Sequence, residues 1–245
     1  AHLNNAQKEF NAKIAYTCGH FPQSFEYSSV GGWVVTRGAG QNSTYYGNIK
    51  DIVFQQIYVT PAGIVKSYGL PAHAVGPDID ELMMGSEGSF GILTNVTLRF
   101  FKYRPETRKK FSFIFKTWED GMKACREIMQ NESGFPSVFR LSDAEETDMA
   151  LKLYGVEGTI AETAMNLMGY KPMKRCLFLG WSEGAKEFSK QLYKKVKRIC
   201  KQNGGLFLTG KPVDGWEHGR FTDPYLRESL QDYGVIIDTM ECSVT

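Results

Sequence analysis

The second half of the chain repeats one pattern twice, and that pattern limits the fold more than any other feature. A short apolar run, Phe111–Phe115, leads into a stretch with Trp118, Met122, Cys125 and Met129 at helical spacing, and then into Ser137–Leu141. The order recurs with Cys176–Trp181, a long stretch carrying Phe188, Leu192, Val196 and Ile199, and Leu206–Leu208. Apolar runs this short are strand-sized, whereas apolar residues three and four apart mark one face of a helix. Strand–helix–strand twice over is the split βαβ arrangement of ferredoxin-like domains, so an α+β fold is expected here. Lys186, Lys190, Lys194, Lys197 and Lys201 fall on the other side of the long helix and should form its wet face. The region from Leu141 to Pro172 is less regular; Tyr225–Gln231 reads as a helix and Val235–Met240 as a last strand.

The first half reads differently. Asn4–Ala15 has Ala6, Phe10 and Ile14 at helical spacing, and glycine is dense from Gly19 to Gly47, which predicts ordered loops. Asp51–Thr60 reads as a strand, turned by Pro61-Ala62-Gly63 into a second one at Ile64–Tyr68. Gly91–Phe101 alternates, placing Ile92, Thr94, Val96, Leu98 and Phe100 on one expected face. The charged segment Lys102–Lys110 (KYRPETRKK) reads as a solvated linker, giving a first domain over 1–105 and a second over 106–245.

Composition removes several function classes. Apolar residues make 42% and charged residues 23%, the balance of a globular domain. With 29 basic and 27 acidic side chains the net charge is +2, too small to point to nucleic acid or an anionic membrane. No apolar run approaches the roughly 18 residues of a transmembrane helix. Five cysteines (Cys18, Cys125, Cys176, Cys200, Cys242) are too scattered for a disulfide framework or a metal site, and suit a reducing compartment such as the cytoplasm. The chain begins Ala1-His2-Leu3 and stops at Thr245 just after an apolar run, so both ends read as cut from something longer.

Two segments could carry chemistry. In QSFEYSSVGGWVVTRGA, residues 23–39, hydroxyls of Ser24, Ser28 and Ser29 stand beside Gly31, Gly32 and Arg37, suited to a phosphate or a polar ring edge. In MGSEGSFGIL, residues 84–93, three glycines precede a strand. Either could equally be a glycine-rich turn, since the dinucleotide-binding fingerprint and the P-loop are both missing.

Together the segments are specific. The order GGWVVTRGAGQNSTYYGNI, VTPAGIV, GPDIDELMMGSEGSFGILTNVTLRF resembles the FAD-binding domain of vanillyl-alcohol oxidase-type flavoproteins, and among them the alkyldihydroxyacetonephosphate synthases. SVFRLSD, GRFTDPYLRESL and DTMECSVT extend the likeness through the second half. The resemblance implies the second part of an FAD-binding domain followed by a ferredoxin-like cap domain of FAD-linked oxidases. It implies that FAD is lined by Gln23, Ser24, Phe25, Glu26, Tyr27, Ser28 and Ser29, by Thr36, Arg37, Gly38 and Ala39, and by Glu87, Gly88, Ser89, Phe90, Gly91, Ile92 and Leu93. It further implies a catalytic Arg140 near the flavin and a substrate-binding Arg227 for an anionic head. On physics alone Arg140 would pair with a carboxylate such as Asp143, and Arg227 beside Glu228 would be a surface pair.

The implied reaction exchanges the acyl group of acyl-dihydroxyacetone phosphate for a fatty alcohol in ether-lipid synthesis. A small-molecule or lipid-phosphate substrate, a homodimer, and a peroxisomal site in a eukaryote go with that reading. The family's glycine-rich pyrophosphate segment, its acid/base tyrosine and its run of three histidines match nothing here, so this chain alone is expected to be inactive. The alternatives are an FAD-dependent dehydrogenase of lactate- or glycolate-type 2-hydroxy acids, and a non-catalytic binding module.

Overall fold

The computed structural model describes residues 16–222 and 225–242; the helix expected over Asn4–Ala15 lies outside them. In chain order the elements are β1 (Tyr16–Thr17), α1 (Val30–Val35), α2 (Ser43–Tyr46), α3 (Ile49–Ile52), β2 (Val53–Thr60), β3 (Gly63–Lys66), α4 (Ile79–Met83), β4 (Ile92–Leu98) and β5 (Phe101–Lys102). A 3₁₀ turn, Pro105–Thr107, precedes β6 (Lys109–Phe115), α5 (Trp118–Gln130), β7 (Val138–Leu141), α6 (Ala144–Leu153), α7 (Ile160–Leu167), β8 (Cys176–Ser182), α8 (Lys186–Gln202), β9 (Leu206–Thr209), α9 (Lys211–Gly219) and α10 (Leu226–Gln231).

The second half forms a four-stranded antiparallel sheet in the order β7-β8-β6-β9, the strand order of a ferredoxin-like domain. Strand alternation sends Phe111, Phe113 and Phe115 to one face, where they meet Phe178, α5 and α8 in the largest core cluster. Each of these buried rings contributes about 2–3 kcal/mol of transfer free energy. Gly180 is required by the sheet itself, because a Cβ there would sit 2.0 Å from the Val138 carbonyl oxygen of the neighbouring strand. The opposite sheet face carries Leu177, Leu179, Leu206 and Leu208, over which α6, α7 and α9 lie.

The first half builds the three-stranded sheet β3-β2-β4, packed on α1 around Trp33, Val34, Ile49 and Met84. Phe221, from beyond α9, enters the same cluster and ties the halves together.

Several sequence expectations need correction. The glycine-rich stretch is not all loop: Ser29 caps α1 by accepting from the Gly32 N–H, and Trp33 Nε1 donates to Ser28 Oγ. Ile92 is exposed, while Leu93, Val96 and Leu98 share the core face. The cause is a bulge: Tyr58 pairs with Leu93 and Ile57 with Asn95, so Thr94 is left over and the alternation reverses. On α5 the buried face is Gly121, Ala124, Cys125 and Ile128, with Trp118, Met122 and Met129 exposed along its flank. The irregular region holds α6 and α7, started by Asp143 and Thr159, which accept from the Glu146 and Glu162 N–H groups. Residues 235–240 form no strand; they find no ladder partner among the described residues, and Ile236 and Met240 are 84% and 99% exposed.

The Lys102–Lys110 segment is not a solvated crossing either. Arg108 Nε donates to Glu183 at 2.8 Å and Nη1 to Glu217 at 3.2 Å, while Lys110 pairs with Asp214 and Glu217. Glu183, at the end of β8 and 2% exposed, also accepts from Trp181 Nε1 and from the hydroxyl of Tyr46 on α2. Burial first, and the charge of Glu183 second, hold the Tyr46 phenol far above its ordinary value, so it donates as a neutral group. This buried network clasps the two halves.

Candidate active site

A cavity of about 820 Å³ lies between the second face of the sheet and helices α6, α7 and α9. Its wall is apolar: Leu177 and Leu179 of β8, Leu206 and Leu208 of β9, Leu151 of α6, Met165 of α7 and Trp216 of α9. Its polar lining gathers Arg140, Ser142, Glu146, Arg220, Gln23 and Gln41, the two glutamines coming from the first half. Backbone geometry puts Arg140 there, because Phe139 and Leu141 on either side of it pack against the α5–α8 core. Its charge is met by Glu146, one turn into α6; Asp143, the partner expected from sequence, is spent on the helix cap.

Arg220 caps the C-terminus of α9 and is 7% exposed. Its guanidinium lies 4.5 Å from the centre of the Phe221 ring, and between 5.3 and 5.5 Å from those of Phe21, Trp181 and Trp216. Nη1 donates to Asn42 Oδ1 at 3.1 Å, and Nε has no partner among the described residues. Burial pushes its pKa down to about 10 despite the upward pull of Glu217 and Glu183, so it remains charged at neutral pH.

Other buried polar atoms without partners among the described residues lie on the adjoining first-half segment: both ring nitrogens of His20, the side-chain amide of Gln41 and Asn42 Nδ2. His20 is 1% exposed, packs on Trp33, and has its pKa lowered to about 4 by burial. A Cβ on Gly40 would stand 3.3 Å from His20 Nδ1, which shows how closely this backbone passes the imidazole.

The expected cofactor segments meet one another around α1. Gly85 and Glu87 N–H groups donate to the Val34 and Val35 carbonyls, and Arg37 Nε donates to Met84 O at 3.1 Å and pairs with Glu81. Gly38 follows directly, its N–H bonded to Trp33 O, and the Thr36 hydroxyl returns to Gly32 O. Phe25 and Leu93 belong to the core, Tyr27, Phe90 and Ile92 are exposed, and Glu26 accepts from Tyr225. The hydroxyls of Ser28 and Ser29 are engaged within the segment. Gly88 has open space where a Cβ would stand, and Gly91 has none, since its Cβ would meet Val59 O at 2.5 Å. Ser24, Ala39 and Ser89 sit within these same loops. Arg227 lies exposed on α10 and is not among the residues lining the cavity.

Comparison with known proteins identifies the framework. A family model described as the FAD binding domain matches residues 2–69, and one described as FAD linked oxidases, C-terminal domain, matches residues 104–245. The chain belongs to the FAD-linked oxidases. It is 32% identical to an alkyldihydroxyacetonephosphate synthase of Caenorhabditis elegans over 97% of this chain and 41% of that protein. A synthase of the same name from Dictyostelium discoideum is 28% identical over 95% and 39%. A solved structure of alkyldihydroxyacetonephosphate synthase superposes with a TM-score of 0.80 at 27% identity, covering 94% of this chain and 42% of that one. The chain therefore spans about two fifths of the length of these relatives.

FAD is the cofactor of this family, and the residues present fit it. A ring system with donors and acceptors on its edge would answer the unpaired atoms of His20, Gln41 and Asn42, which are costly to leave buried and unbonded. Sequence reasoning missed these residues and Arg220. The one local signal for Arg220 was its place between Trp216 and Phe221; Phe21 and Trp181 are brought to it only by the fold. Among the described residues no helix is long and apolar enough to cross a membrane.

Proposed function

We infer that this chain supplies part of the FAD-binding domain (1–105) and the substrate domain (106–245) of an enzyme that exchanges the acyl group of acyl-dihydroxyacetone phosphate for a fatty alcohol. The products are the ether-lipid precursor and a free fatty acid. The observation that carries this reading is the cavity: about 820 Å³, walled by leucine and methionine, with arginines gathered in its polar lining. Ligand sites run to roughly 300–1,000 Å³. A lactate- or glycolate-sized acid would leave most of this space empty, whereas an acyl or alkyl chain fills it and takes the transfer free energy of about 0.8 kcal/mol per buried methylene.

In this reading Gln23–Ser29, Thr36–Ala39 and Glu87–Leu93 hold FAD, and Arg140 stands at the polar end of the cavity beside it. When bound, the flavin supplies the electron-accepting and electron-donating chemistry. The protein contributes a dry apolar channel that fixes the chain, and fixed cations that orient the polar end. Arg140, balanced by Glu146, can turn to an acidic ligand group without carrying an unpaired buried charge in the free enzyme. A lipid-phosphate substrate, a homodimer and a cytoplasmic or peroxisomal setting belong to the same reading.

The test is turnover by the full-length FAD-loaded protein. Supplied with palmitoyl-dihydroxyacetone phosphate and labelled hexadecanol, it should form labelled alkyl-dihydroxyacetone phosphate and release palmitate in equal amounts. Bleaching of the flavin by D-lactate or glycolate, without ether formation, would overturn the assignment in favour of a hydroxy-acid dehydrogenase.

A further inference from the structure

Four oxidisable rings run in one line from the cavity to the surface. Trp216 of α9 lines the cavity, and its ring centre is 5.8 Å from that of Trp181 on β8, which is fully buried. Trp181 Nε1 donates to one oxygen of Glu183 at 2.9 Å, and the Tyr46 hydroxyl donates to the other. Tyr46 is 5% exposed, and its ring centre is 4.9 Å from that of Tyr45, which reaches 36% exposure. Close ring pairs are common in cores; this line is set apart by the carboxylate that an indole and a phenol share. Losing an electron makes an indole N–H or a phenol O–H strongly acidic, so a base within hydrogen-bond reach decides whether the ring is oxidised. Glu183 is that base for both rings, with one oxygen for each. Arg108 and Arg220 stand over Trp181 at 5.3 and 5.4 Å, which disfavours a positive charge on that ring, so its proton must leave with the electron. Trp33 differs: it packs on His20 and Phe25 and donates to the Ser28 hydroxyl, which is no base.

We propose that Trp216, Trp181, Tyr46 and Tyr45, with Glu183 as their shared base, form a proton-coupled electron relay that carries oxidising equivalents from the cavity to the surface. The oxidant is a one-electron acceptor in the cavity, the light-excited flavin, and the final reductant is a diffusible thiol. The acceptor takes one electron from Trp216, and Trp181 replaces it as its N–H proton moves to Glu183. Tyr46 then returns an electron to Trp181, which recovers its proton, and the phenolic proton of Tyr46 takes that place on the carboxylate. Tyr45 next gives an electron to Tyr46, which recovers its proton from Glu183, while the proton of Tyr45 goes to water. The thiol restores Tyr45 with an electron and a proton as its S–H bond breaks, leaving a thiyl radical. Glu183 ends as a carboxylate and every ring ends unchanged. The inference rests on the reading that FAD sits beside this cavity.

The full-length FAD-loaded enzyme is illuminated with pentaamminechlorocobalt(III), which removes the electron from the flavin irreversibly. Radicals are followed by flash absorption and by electron paramagnetic resonance of frozen samples. Wild type should form a tyrosyl radical, recognised by its narrower spectrum when tyrosine is ring-deuterated. Tyr46→Phe should give a tryptophan radical in its place at equal FAD content. Glu183→Gln keeps the shape but not the base, and should slow the tryptophan-to-tyrosine step by about 100-fold or more, the scale of a positioned proton transfer. Tyr45→Phe should keep the tyrosyl signal and slow its decay by added glutathione. A tyrosyl yield unchanged in Tyr46→Phe overturns the proposal. Pulse radiolysis with azide radical, which oxidises tryptophan directly, separates the relay from the cofactor reading. Tryptophan-to-tyrosine conversion that is the same in wild type and Tyr46→Phe overturns the relay whatever the flavin does. Conversion that falls in Tyr46→Phe, with no protein radical on illumination of wild type, overturns the placement of FAD beside the cavity and leaves the relay standing.

Discussion

Glu183→Ala is the perturbation that most sharply tests the clasp between the two halves. Glu183 is 2% exposed and receives three donors: Arg108 Nε at 2.8 Å, Trp181 Nε1 at 2.9 Å and the Tyr46 hydroxyl. Removing one member of a buried ion pair costs about 3–5 kcal/mol, because the other charge remains desolvated. Arg108 keeps Glu217 at 3.2 Å, which places the expected loss at the lower end, about 3 kcal/mol. For a chain of this size that is a fall of roughly 6–12 °C in Tm. Urea unfolding followed by tryptophan fluorescence reads the same quantity, with Trp181 itself in the network. Tyr46→Phe alone should cost about 1 kcal/mol, and added to Glu183→Ala it should cost almost nothing more, since its acceptor has already gone. A Glu183→Ala loss below about 1 kcal/mol, or strictly additive effects of the two changes, would refute the clasp.

Three further outcomes follow from the geometry. His20 has a pKa of about 4 when folded against an ordinary 6.5, so between those values the unfolded chain binds a proton that the folded chain refuses. Stability is therefore intact above pH 6.5 and falls by up to about 3 kcal/mol as pH drops toward 4, and His20→Phe should flatten that slope in urea titrations at stepped pH. Gly215 lines the cavity from α9, where an added Cβ makes only ordinary contact with Tyr154 at 3.5 Å. Gly215→Leu should raise helix stability by about 0.5–1 kcal/mol while weakening hexadecanol binding about tenfold or more, seen by calorimetry on the full-length protein. Gly180→Ala drives a methyl into the Val138 carbonyl and should destabilise by more than 3 kcal/mol, measured by thermal unfolding.

The ferredoxin-like half was legible because its strands and helices differ in period, and each carries its own apolar face; β6, β8 and α8 fall where Phe111–Phe115, Cys176–Trp181 and the Phe188–Ile199 spacing put them. What escaped was decided by single residues or by partners distant in the chain. Helices α6 and α7 have weak apolar stripes, yet Asp143-x-x-Glu146 and Thr159-x-x-Glu162 are start signals visible in the sequence. One extra residue at Thr94 reversed the face of Ile92, and no local pattern announces a bulge. Residues 235–240 have strand-like composition but no strand to pair with among the described residues. The glycine segments could be singled out in the sequence, but the cavity could not, since leucines of β8 and β9 read as ordinary core until α6, α7 and α9 stand off from them. Arg220 is the extreme case: its surroundings depend on Asn42, 178 residues earlier, and on the rings of Phe21 and Trp181 from two distant segments.

The central claim is that this cavity holds the substrate chain. The direct measurement is photolabelling of the full-length FAD-loaded protein with a fatty alcohol bearing a diazirine at its far end, followed by peptide mapping. The account predicts adducts on cavity-lining residues such as Leu151, Met165, Leu206 and Leu208, competed away by unlabelled hexadecanol. Labelling that falls on exposed surfaces instead, or that hexadecanol does not displace, would contradict it.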